Sequence, residues 1–196
     1  MKILSKKELT KILKNEKKDY LDTHGVYQKI LVAIKREPSY LNWLYQKRMR
    51  ITNYYYAKRK KNIVYAALFI RSRRKMNVMG RRIGMECGEH VFGKGLIIYH
   101  SCGNVINGNA EIGENCYLYG NNCVGNNGIS PECPRIGNNV RLCVGAKVIG
   151  NIELADDVVV AAGAVVLKSC KQRGAILGGV PAKVIGVIKE DIEFLV

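Results

Sequence analysis

From Ile136 onward an apolar residue returns at every sixth position: Ile136, Leu142, Val148, Leu154, Val160 and Val166. Four residues after each of the first five stands another, Val140, Ala146, Ile152, Val158 and Ala164. Six is not a helical period, so an amphipathic helix cannot carry this pattern. The residues three after each repeat start are Asn139, Gly145, Asn151, Asp157 and Gly163, and upstream in the same register Gly103, Asn109, Asn115 and Asn121. Asn, Asp and Gly tolerate positive φ, so every sixth residue suits a left-handed corner. Short strands between periodic corners make a solenoid, and hexads of this kind predict a mainly β chain folded as a parallel β-helix, three hexads to a triangular coil. The register runs back through Val124, Leu118, Ile112 and Ile106 to His100, where an apolar residue is expected. Residues 125–135 hold two prolines and no inward pair, so they form an excursion of the kind that carries function on repeat scaffolds.

The repeat leaves the first part of the chain unexplained, and the charge separates the two. Residues 1–83 hold 23 Lys and Arg against 5 Asp and Glu, whereas residues 84–196 hold 9 against 11. In the first part, Ser5 and Glu8 have capping-box spacing and open a helix expected to run to about Asp22. Pro38 suits the first turn of a second helix with Leu41, Leu44, Tyr45, Arg48 and Tyr55 on one face, and a third is expected over 62–74. The resulting division is a basic α-helical region over 1–81, a repeat domain over 82–187 and a short tail over 188–196. The basic runs at 58–61 and 71–75, near Tyr54-Tyr55-Tyr56, fit a solvated helical face, an anionic membrane or lipid-linked substrate, or nucleic acid. No helix-turn-helix, RNP or zinc signature accompanies them, which places nucleic acid last.

At 47% apolar and 24% charged the chain is no disordered polymer. No run of roughly 18 apolar residues is present, and charges interrupt the first segment, so a cytoplasmic protein is expected, with the inner membrane face as an optional contact. Seven cysteines at irregular spacing read as reduced thiols.

Several segments together resemble the hexapeptide-repeat acyltransferases: 95–100, the hexads through Gly125, Pro134–Gly137, Val144–Asn151, Ala162–Val166 and Gly179–Gly186. The branch is similar to serine acetyltransferase and its relatives among capsule and exopolysaccharide O-acetyltransferases. The resemblance implies a left-handed parallel β-helix that forms a homotrimer or a dimer of trimers, with acetyl-CoA between adjacent prisms. It implies His100 as general base: an acceptor hydroxyl is a poor nucleophile, and an imidazole with a pKa of about 6.5 can take its proton during attack on a thioester. Backbone N–H groups near the base would stabilise the oxyanion. In that family an aspartate orients the histidine; the matching residue is Glu86, one residue out of register, with Glu89 its competitor. For the cofactor, family positions imply the backbone of Ala146 and Ala162 against pantetheine, and Lys168 and Lys183 near the CoA phosphates.

Serine acetyltransferases carry a histidine where this chain has Cys133 before Pro134, and the Cys-Pro form resembles the capsule enzymes. That departure and the basic arm point to a sugar hydroxyl of a surface polysaccharide as acceptor, with serine as the alternative. A serine enzyme's tail would end in isoleucine, whereas this chain ends Glu193-Phe194-Leu195-Val196. Two readings lie outside this chemistry. A zinc hydrase needs three histidine ligands, and the chain's three include His24 in the helical arm, so no metal is expected. A non-catalytic β-helix scaffold would account for the repeat but not for His100, the excursion or the Val180-Pro181-Ala182 ending.

Overall fold

The computed structural model describes residues 1–21 and 26–188. Four helices precede a three-faced prism: α1 Lys6–Leu21, α2 Val26–Lys35, α3 Pro38–Lys58 and α4 Ile63–Ile83. Helix α1 starts where the capping box places it, with Ser5 Oγ accepting from the Glu8 N–H at 3.1 Å and Glu8 Oε2 accepting from the Leu4 N–H at 3.0 Å. Pro38 lies in the first turn of α3, Asn62 caps α4 through the Tyr65 N–H, and Gly84 ends α4 in the left-handed conformation at φ 69°. Helix α4 ends nine residues later than expected and crosses the expected domain boundary at 81. Helix α2 lies outside the helices expected from the sequence. His24 and the terminal segment from 189 lie outside the described residues.

The prism is built of strands of two or three residues. One face stacks β1 Met85–Glu86, β3 Asn104–Ile106, β6 Cys123–Gly125, β9 Lys147–Ile149 and β12 Val165–Val166, all parallel. A second stacks β4 Glu111–Ile112, β7 Arg135–Ile136 and β10 Glu153–Leu154. The third runs β2 Ile97–Ile98, β5 Tyr117–Leu118, β8 Arg141–Leu142, β11 Val159–Val160 and β13 Ala175–Gly179, and closes on the antiparallel β14 Ala182–Val187. The three faces and uniform coil direction make this the parallel β-helix that the hexads predict. All eleven repeat positions from Ile136 to Val166 point inward, none more than 6% exposed.

Seven of the nine expected corner residues have positive φ: Gly103, Asn115, Asn121, Asn139, Gly145, Asp157 and Gly163. Asn109 and Asn151 do not; beside Asn151 the left-handed residue is Gly150, one position earlier, at φ 98°. One corner is tied into a ladder, with Asn115 Nδ2 donating to Asn139 Oδ1 (3.0 Å) and Asn139 Nδ2 to Asp157 Oδ1 (2.8 Å). The excursion leaves the prism after Gly125 and returns at Arg135. It is braced by Asn127 Oδ1, which accepts from the Ile129 and Ser130 N–H groups.

The face of α3 that meets the prism differs from expectation. Of Leu41, Leu44, Tyr45, Arg48 and Tyr55, only Tyr45 is buried; Asn42, Gln46, Arg50 and Asn53 are buried instead. The reason lies in what they cover. The first coil leaves carbonyls with no preceding strand to satisfy them, and these four side chains, spaced by about one helical turn, donate to them in sequence. Asn53 donates to Glu89 O, Arg50 to Phe92 O and Gly93 O, Gln46 to Leu96 O, and Asn42 to Ile98 O and Tyr99 O. A polar stripe is therefore buried beside the apolar Tyr45 and Met49.

Candidate active site

His100 sits on an exposed corner as the chain leaves β2 for β3. The segment feeding it is held from both sides. Its main chain pairs with the coil beneath, the Ile97 and Tyr99 N–H groups donating to Cys116 O and Leu118 O at 2.9 Å. From above, the Ile98 N–H donates to the Tyr20 hydroxyl at 2.7 Å, and that hydroxyl donates to Gln46 Oε1 at 2.8 Å. Burial pushes the Tyr20 phenol well above its ordinary pKa, so it stays neutral and able to donate. Asn42, through its two bonds at 2.9 and 3.2 Å, fixes the carbonyls of the two residues before the histidine.

Inside the prism the same corner rests on two asparagines, Asn104 and Asn122, both fully buried where other coils place Ala, Cys, Val or Ile. Asn104 Nδ2 donates to His100 O at 2.9 Å, and Asn104 Oδ1 accepts from the Asn122 N–H at 2.9 Å. Asn122 Oδ1 in turn accepts from the Gly120 N–H, and its Nδ2 donates to Cys143 O at 2.7 Å. Gly120 lies directly under the histidine: a Cβ there would stand 3.0 Å from His100 Cβ. These supports escaped the sequence reading, although asparagine at the inward fourth position of two hexads was a visible signal.

Beside the corner, the outer face carries stacked tyrosines, Tyr99 on Tyr119 at 4.7 Å and on Tyr117 at 6.4 Å, with Arg141 over Tyr117. Burial raises the pKa of Tyr99 and Tyr119. Around the corner from His100, a groove of about 870 Å³ crosses the β1–β3–β6 face, bounded by Arg73, Arg81, Gly103 and Asn126.

Glu86 lines that groove but does not reach His100. The β1–β3 register sets Glu86 beside Val105 on the outer face, Met85 being the inward residue, and no hydrogen bond or ion pair joins Glu86 to His100 among the described residues. The buried carboxylate of Glu89 faces Arg73 Nη1 at 3.5 Å and His90 Nδ1 at 3.8 Å. Burial pushes the Glu89 pKa up, but His90, a backbone N–H and Arg73 outweigh it and hold the carboxyl below its ordinary range.

The expected cofactor residues separate into two kinds. Ala146 is buried, its N–H donates to Cys143 O and its C=O accepts from the Cys123 N–H, so its backbone is already used within the prism. Ala162 is exposed, and its backbone has no hydrogen-bond partner among the described residues, as a ligand contact requires. Lys168, after β12, and Lys183, on β14, are both exposed and free of ion pairs among the described residues. Cys133 is buried at the end of the excursion, where burial pushes its thiol pKa up, away from nucleophilic thiolate. All seven cysteines are free. No cluster of metal-ligating side chains occurs among the described residues, and none of their helices is long and apolar enough to cross a membrane.

No family model matches the chain. A serine acetyltransferase of Synechococcus elongatus is 36% identical over 95 residues, which is 47% of this chain and 38% of that protein. The chain spans less than half the length of the curated relatives it matches. Among solved structures, serine acetyltransferase from Brucella abortus superposes with a TM-score of 0.70 at 23% identity, covering 94% of this chain and 71% of that one. The same enzyme in complex with coenzyme A gives 0.69 at 21%, covering 94% and 70%. Hexad register, three-faced coil and these likenesses together show that the chain has the left-handed parallel β-helix fold seen in the serine acetyltransferases it resembles.

Proposed function

We propose that this protein is an acetyl-CoA-dependent O-acetyltransferase with His100 as its general base. The observation that carries the reading is the corner itself. One exposed imidazole stands on the corner just after inward-facing Ile98, which fills the register position opposite Leu118, and buried side chains of α1, α3 and the prism interior fix the main chain around it. Supports of that density around a solvent-facing residue are what a positioned catalytic group needs. In the proposed step the imidazole takes the acceptor's hydroxyl proton as the oxygen attacks the thioester carbonyl. The C–S bond then breaks, and the imidazolium returns the proton to the departing CoA thiolate. Ala162, through its unpartnered backbone, and the cations Lys168 and Lys183 are proposed to hold the CoA chain and phosphates. The protein is proposed to work as a trimer, a reading supported by half-exposed Val105, Val144 and Leu167.

For the acceptor, the relatives favour L-serine, the substrate for which they are named, over the sugar hydroxyl that Cys133 and the basic arm suggest. The test is transfer of labelled acetyl from acetyl-CoA by the purified protein, with L-serine and a mixed glycan fraction in parallel. Labelled serine, lost by a factor of about 10²–10⁴ in His100→Ala, is the expected result. Label on glycan alone moves the acceptor to sugar, and no transfer to either acceptor overturns the proposal.

A further inference from the structure

Helices α3 and α4 with the turn between them, Pro38–Ile83, hold thirteen lysines and arginines and no aspartate or glutamate. Two of the thirteen are neutralised from elsewhere, Arg50 by Glu16 and Arg73 by Glu89. Five of the others line one groove of about 400 Å³: Arg48, Arg71, Arg74, Lys75 and Arg82, with Val78 among them. None of these five is ion-paired among the described residues. Like charges gathered on adjacent turns repel one another unless a counter-charge arrives. The groove thus asks for a polyanion.

The neighbouring side chains say which kind. At 3.6 residues per turn, Ile63, Ile70, Arg74, Val78 and Arg81 fall on one face of α4, while Met76 and Gly80 are buried on the opposite side. On the open face Ile63 is 82% exposed, Ile70 67% and Val78 36%. Aliphatic side chains set among cations suit an interface that offers phosphates and hydrocarbon together. Nucleic acid would be better met by exposed aromatic rings, and the rings nearest α4 are already engaged, Tyr56 against His90 and Arg59, and Phe69 against Tyr56.

We propose that the α3–α4 groove and the open face of α4 dock the protein on an anionic phospholipid surface, with α4 lying along the headgroups. This is independent of the acetyl-transfer reading. The full chain is floated with vesicles of phosphatidylcholine alone and of phosphatidylcholine with phosphatidylglycerol, at low and at high salt. Binding is expected only to the anionic vesicles, weakened by salt. Arg71→Ala/Arg74→Ala is expected to weaken it by about 30-fold, taking roughly fivefold per surface cation. Lys11→Ala/Lys14→Ala on α1 removes the same charge away from the groove and is expected to leave most of the binding. Ile70→Ser is expected to weaken binding at high salt, where the charges are screened. Far-UV circular dichroism confirms that each variant is folded. Equal binding to neutral vesicles, equal loss in the α1 variant, or binding to an oligonucleotide without binding to vesicles would each overturn the proposal.

Discussion

Arg50 is the most deeply buried cation of the helical region, and its removal tests whether α3 is fastened to the prism by charge or merely rests on it. The side chain is 0% exposed and its partner Glu16 2%. Its Nε lies 3.1 Å from both Glu16 oxygens and Nη2 2.7 Å from Oε1, while Nη1 donates to Phe92 O and Nη2 also to Gly93 O. Glu16 Oε1 also accepts from the Gly95 N–H at 3.0 Å. Arg50→Met keeps the stem and deletes the head, leaving a buried carboxylate with one backbone donor and two carbonyls without partners. Breaking a buried pair this way costs about 3–5 kcal/mol. For a chain of this length that is a fall of roughly 10 °C in Tm, taking about 2–4 °C per kcal/mol. Glu16→Leu/Arg50→Met removes the orphaned charge too and is expected to recover most of the loss. Urea unfolding of the three proteins, followed by far-UV circular dichroism, gives the comparison. A single-variant loss below about 1 kcal/mol, or a double variant no better than the single, would refute the reasoning.

Gly120→Ala sets a Cβ against His100 and places a non-glycine residue at φ 108°; it is expected to cost about 1–3 kcal/mol of stability and to lower kcat more than it raises KM for acetyl-CoA, read by steady-state kinetics. Native-state alkylation followed by mass spectrometry is expected to label exposed Cys102 first and to spare Cys116 and Cys87, whose thiols burial pushes up to about 12 and about 11. Arg173, and then Asn139, hold Asp157 below the ordinary carboxylate range, so its contribution is present above an unfolded carboxyl pKa of about 4 and is lost as pH falls through the lower folded value. Asp157→Asn is expected to flatten acid unfolding slightly in that window, the pair being exposed, and an unchanged pH profile would remove the ladder from the stability of the prism.

The prism was legible because a solenoid repeats its requirements. Every coil needs the same inward pair and the same left-handed corner, so each of Ile136 to Val166 tests the period independently of the others. The supports of His100 were not legible for the opposite reason, since each occurs once. Tyr20, Asn42 and Gln46 lie 54 to 80 residues before His100 in the sequence, and only the packing of helix on coil brings them to its main chain. Helical periodicity misled at α3 because it assumes that the buried stripe is apolar, whereas this helix is buried against hydrogen-bonding groups.

A prism of parallel coils has an open end wherever the repeat starts, and an open end is a row of unpaired carbonyls on which a second chain could continue the sheet. Here α3 stands in that row like the teeth of a comb, its four donors matched in order to carbonyls from Glu89 to Tyr99. The helical region is therefore a stopper as much as an appendage. Cut at the point where the composition changes, near residue 81, the β-helix would lose the element that prevents it from growing end to end. The charge boundary in the sequence and the cooperative boundary in the structure consequently fall in different places.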